Sequence, residues 1–137
     1  MATSTPAIAL FIASDDIAEQ LRDLLEREGF VVVSAHVDDV RRARSDVKAL
    51  MDQHDPSVVV YDLIPPFARH WQFIQHLRQT PEFERRAFVY TSANAAAARE
   101  LGHHTEPVIE VRGLDQDFDA ILQAVKRAMN PVRDTPA

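Results

Sequence analysis

The 137-residue chain has no cysteine, only three glycines, a single tryptophan and no long apolar run. Without cysteine there is no disulfide and no thiolate metal site, which fits a reducing compartment. Three glycines accommodate neither a G-x-G-x-x-G turn nor a Walker loop, so a nucleotide cradle is not expected, and with it goes a small flavin- or nucleotide-binding enzyme. The first apolar stretch, AIALFIA at 7–13, follows no basic region and is too short to span a bilayer. Basic residues are the minority: 15 Lys and Arg against 21 Asp and Glu give a net charge of −6, which argues against a direct nucleic-acid partner. The expectation is a cytoplasmic protein that contacts neither nucleic acid nor membrane.

What remains is an ordinary globular composition, 46% hydrophobic and 26% charged, at a length that makes one domain with a real core. Two kinds of segment alternate along it. Short β-like runs stand at 7–13, 30–35 (FVVVSA), 57–62 (SVVVYD), 87–93 (AFVYTSA) and 107–112 (PVIEVR). Helical spacing lies between and after them: Ile17, Leu21, Leu24 and Leu25 before Gly29; Val37, Val40, Val47, Leu50 and Met51; Trp71, Ile74 and Leu77 before Pro81; NAAAAREL at 94–101; and Phe118, Ile121, Leu122, Val125 and Met129 before Asn130-Pro131. Val58 to Tyr61 show no polar alternation, as in a strand covered on both faces. The pattern predicts an α/β domain, (βα)5, with a doubly wound five-stranded parallel sheet of the flavodoxin-like type. A single unit is expected over 1–137, its core at about 7–129, with loose ends at 1–6 and 131–137.

In such a sheet the C-terminal strand ends share one rim, where open α/β sheets bind ligands. The residues arriving there are Ser14, Asp15 and Asp16, then Asp62, then Thr91 and Ser92, then Arg112. Clustered carboxylates suit a hard cation such as Mg2+, while a hydroxyl and a cation opposite suit phosphoryl oxygens. Asp62 thus reads as a carboxylate nucleophile in a phosphoryl-acceptor site. The plainer alternative makes Asp15 or Asp16 an N-cap, Thr91 a strand residue and Arg112 surface.

Over roughly 7–129 the arrangement resembles the receiver domain of two-component response regulators. The pieces that carry the likeness are IAEQLRDLLEREGF, VVVYDLIPP, FVYTSA and LDQDFDAILQAV in that order, with Pro66 four residues after Asp62. The resemblance implies a receiver fold in an atypical variant, with Asp62 as phospho-acceptor, Thr91 as the hydroxyl that moves toward the aspartyl phosphate, and Arg112 in place of the family's lysine. It implies a metal set drawn from Asp15, Asp16 and Asp62 that holds Mg2+ if the domain is phosphorylated. It also implies a histidine kinase or phosphotransfer protein upstream and a protein partner downstream. The output face, also a surface for a homodimer, would be made by the fourth helix, fifth strand and fifth helix. No enzymatic activity beyond accepting the group is implied.

Three departures from the family pattern favour the alternative, a phosphorylation-independent pseudo-receiver that acts as a protein-interaction module. Arg112-Gly113 stands where lysine-proline is usual, and a planar guanidinium does not replace a compact ammonium. Ile109 stands where a switch aromatic is usual. An ungapped first helix places Ile12 and Ala13 at the acidic pair, and only a shorter loop brings Ser14 and Asp15, or Asp15 and Asp16, there. Elsewhere, RRARSDVK at 41–48 reads as a solvated helix face, Phe67 as site cover or core, and Trp71 as core. The six histidines (36, 54, 70, 76, 103, 104) contain no H-x-x-x-H pair, so no metal is expected on them.

Overall fold

The computed structural model describes residues 6–42, 47–102 and 107–129. Five strands form one parallel sheet: β1 (Ala7–Ile12), β2 (Val31–His36), β3 (Val58–Asp62), β4 (Ala87–Ser92) and β5 (Val108–Glu110). Their order is β2-β1-β3-β4-β5, so the three central strands are covered on both faces and the edges are β2 and β5. That placement explains the unbroken apolar run of β3, in which Val58, Val59, Val60 and Tyr61 are fully buried. Each such side chain contributes about 1.5–3 kcal/mol relative to exposure.

Two helices, α1 (Asp15–Arg27) and α6 (Asp115–Met129), lie against one face of the sheet. They enclose Ile8, Leu10, Val58, Val60 and Val89 together with Leu21, Leu25, Ile121 and Val125. On the other face lie α2 (Val37–Arg41), α3 (Val47–His54), α4 (Phe67–Leu77) and α5 (Ala95–Gly102). Phe11, Val59, Tyr61 and Tyr90 pack there against Val40, Met51, Phe67, Trp71 and Ala98. Period-2 side-chain alternation along each strand feeds the two cores in turn. This is the doubly wound α/β sheet the sequence predicts.

The second helical stretch differs from expectation. It contains two helices: a five-residue α2, capped at its start by His36 Nδ1, which accepts from the Asp38 N–H at 3.1 Å, and then α3 from Val47. Residues 43–46 of the basic run lie outside the described residues, as do residues 1–5, His103, His104 and residues 130–137. Trp71 is core as expected, and Phe67 is buried core as well. At the end of α1, Gly29 takes φ +95° and donates to the Glu26 carbonyl, while Phe30 donates to the Leu25 carbonyl. This is the Schellman closure that a C′ glycine permits.

One region of the second core is polar and incompletely paired. The Tyr61 hydroxyl, both ring nitrogens of His70 and Arg41 Nε are buried without a hydrogen-bond partner among the described residues. Burial, with the nearby Arg41 charge adding to it, lowers the His70 pKa and keeps the imidazole neutral, and burial pushes the Tyr61 phenol up.

Candidate functional site

Asp62 is the last residue of β3, half-buried at the C-terminal rim. The register sets its neighbours: Asp62 pairs with Thr91 on β4, and on the other side Phe11 of β1 pairs with Tyr61. The Thr91 hydroxyl, itself buried, donates to Asp62 Oδ1 at 3.0 Å. The backbone N–H of Ala13, the first residue past β1, donates to Oδ2 at 3.1 Å. Each carboxylate oxygen therefore has one donor and retains a lone pair.

The electrostatics of Asp62 are a contest. Burial disfavours its charge and raises its pKa above the ordinary value; the Ala13 and Thr91 hydrogen bonds and the charge of His36 oppose the rise without cancelling it. Asp62 is thus a partly desolvated carboxylate with an ordered hydroxyl beside it, at the rim where open α/β sheets bind ligands.

The other residues predicted for this site are placed differently. Asp15 and Asp16 are exposed in the first turn of α1, where they complement the helix dipole, and Ser14 caps that helix by accepting from the Ile17 N–H at 3.3 Å. Ala13, the residue after β1, bonds Asp62 through its backbone N–H. Arg112 lies beyond the three-residue β5, exposed, with its guanidinium paired to Glu110. Ile109 is half-buried opposite Thr91. Among the described residues, no group of three or more His, Asp or Glu side chains is arranged to hold a metal ion.

Three further contributors carry no side-chain signal that sequence reading detects. Ala13 acts through its backbone. His36 acts by its position at the end of β2, on the same rim. Glu110 lies on β5, yet its carboxylate also accepts from the Ala95 N–H at the start of α5 at 3.4 Å. Only the assembled sheet brings these to one place.

No family model matches the chain, and no curated protein sequence matches it. Solved structures do match in fold. A sensor protein from Polaromonas sp. JS666 superposes with a TM-score of 0.68 at 22% identity, covering 93% of this chain and 98% of the other. A response regulator from Thermotoga maritima gives 0.66 at 17% identity, with 93% and 99% covered. The Thermotoga maritima response regulator TrrA, solved in complex with Mg2+-BeF, gives 0.65 at 15% identity, with 90% and 99% covered. At these identities the likeness is one of fold: the chain has the architecture of response-regulator receiver domains.

Proposed function

We propose that this chain is a receiver-type signalling domain that acts through protein–protein contacts, with Asp62 as its input residue and as the acceptor of a phosphoryl group. The observation that carries the reading is the Asp62–Thr91 hydrogen bond at the C-terminal rim. A carboxylate oxygen would form the new O–P bond as the P–N bond of a phosphohistidine donor breaks, its electron pair staying on the imidazole, which takes up a proton. The added charge, about −1.5 to −2 at neutral pH, would hold the Thr91 hydroxyl as a donor to the phosphoryl oxygens. A histidine kinase or phosphotransfer protein would supply the group, and a downstream protein would read the face of α5, β5 and α6, which is also the surface for a homodimer.

Mg2+ belongs to this reading only conditionally. It binds through one or two carboxylates and keeps several waters. Asp62 offers one carboxylate at the rim, Asp15 and Asp16 are exposed on α1, and no group of three or more His, Asp or Glu side chains is gathered among the described residues, so a cation would be held by Asp62, water and phosphoryl oxygens.

A second reading has its own observation. Arg112 is engaged by Glu110, and Ala13 offers Asp62 an N–H where a metal-binding acid would be needed. Both favour a pseudo-receiver that binds its partner without phosphorylation.

Intact mass after incubation with acetyl phosphate and MgCl2, beside Asp62→Ala and EDTA arms, separates the two. The expected result is a gain of one phosphoryl group that Asp62→Ala abolishes. Loss of the gain in EDTA would assign a cation to the rim. No gain in folded protein would leave the contact module as the function.

A further inference from the structure

We propose that Ser92 is a positioning residue that mechanically links Asp62 to the first turn of α5, an inference that rests on the reading of Asp62 as input residue. Ser92 is 1% exposed, and its hydroxyl is used in both directions. It donates to the Leu63 carbonyl at 2.9 Å and accepts from the Asn94 N–H at 3.1 Å. A serine hydroxyl has one donor and two lone pairs, so it can bridge two backbone groups of opposite polarity, which alanine cannot.

Each end of that bridge is fastened. Leu63 directly follows Asp62, and its N–H donates to the Thr91 carbonyl at 2.7 Å, tying the segment after the acceptor to β4. Asn94 leads into α5: its side-chain oxygen accepts from the Ala97 N–H at 3.2 Å and its carbonyl from the Ala98 N–H at 3.1 Å. The Ala98 carbonyl in turn accepts from the Trp71 indole N–H of α4 at 2.7 Å. A continuous series of hydrogen bonds therefore runs from the peptide beside Asp62, through one buried hydroxyl, to α5 and α4.

The second attachment at the start of α5 comes from β5. One Glu110 oxygen accepts from Ala95 N–H and the other is paired with Arg112. The first turn of α5 thus sits between a hydroxyl that follows the Asp62 loop and a carboxylate that follows β5. Among the described residues, the Ser92 hydroxyl directly connects that loop to the residue leading into α5. A change of charge or size at Asp62 displaces the Leu63 peptide, and Ser92 transfers the displacement to Asn94.

The test uses 15N-labelled full chain and a change at Asp62 that requires no phosphoryl donor. Asp62→Asn is expected to shift the amide resonances of Asn94 to Ala98 in the wild-type background. In Ser92→Ala those shifts are lost, while Ala13 and Leu63, adjacent to the substitution, still respond. Ser92→Thr, which keeps the hydroxyl, restores them. If Ser92→Ala does not fold, Ser92→Cys, with a weaker donor of similar size, gives reduced shifts in the same amides. Undiminished α5 shifts in Ser92→Ala or Ser92→Cys, or none in the wild-type background, would overturn the coupling. Because no phosphate is involved, a failed acetyl phosphate reaction leaves this outcome independent.

Discussion

Burial works against the Asp62 charge, and that has a thermodynamic sign. Its folded pKa is raised, chiefly by burial, above the ordinary 3.8. Above the folded value the carboxylate is ionised in both states, and the native state bears the full desolvation cost. As pH falls through the folded value the native protein takes up the proton first and the cost is relieved, until the unfolded chain also protonates near 3.8. Asp62→Asn is therefore expected to raise Tm at pH 7, with the advantage shrinking as pH is lowered toward 4, in paired thermal melts. An Asn variant less stable than wild type at pH 7 would mean that the Ala13 and Thr91 bonds outweigh burial. Tyr61 gives a second prediction at this scale. Its hydroxyl is fully buried without a partner, so Tyr61→Phe removes a desolvated group and leaves the ring contacts with Phe11 in place. The expected gain is about 1 kcal/mol in urea denaturation. A loss of stability there would reveal an ordered water on the phenol.

Among the elements, a directional bond joins α4 to α5. The Trp71 indole crosses to the Ala98 carbonyl at 2.7 Å while its ring meets Tyr90 edge-on at 5.0 Å between centroids. Trp71→Phe keeps most of the apolar contact and leaves that carbonyl with one donor fewer. It is expected to cost about 1–3 kcal/mol and to speed hydrogen exchange in α5 more than in α1. Equal effects on both helices would place the loss in the core as a whole. The elements also show what a linear pattern carries. The end of α1 was legible because Gly29 and the Leu21–Leu25 stripe are local signals. The capped start of α2 at Val37 was not, since nothing in the apolar spacing marks His36 as the cap whose ring accepts from the Asp38 N–H. Nor were the fastenings of α5 legible, because Glu110 lies 15 residues from Ala95 in the chain.

For the whole molecule, the architecture gathers a rim on which Asp62 is half-buried while Asp15 and Asp16 are exposed on α1. Divalent cations stabilise a protein in proportion to their preference for the native state. With no group of three or more ligating side chains among the described residues, millimolar MgCl2 is expected to leave Tm unchanged in the unphosphorylated protein. A rise in Tm that disappears in the double variant Asp15→Asn with Asp16→Asn would show that α1 turns those carboxylates toward Asp62. The sequence by itself determined the alternation of strand and helix, the parallel sheet and the position of Asp62 at a strand end. Those follow from side-chain periodicity and from runs of β-branched residues, which are properties of neighbours in the chain. Tertiary structure decided which groups touch Asp62: a backbone N–H from Ala13 and the Thr91 hydroxyl, with Arg112 turned to Glu110. Those contacts depend on strand register, on where β5 stops and on groups distant in sequence, and burial, which raises the Asp62 pKa, exists only once both faces of the sheet are covered.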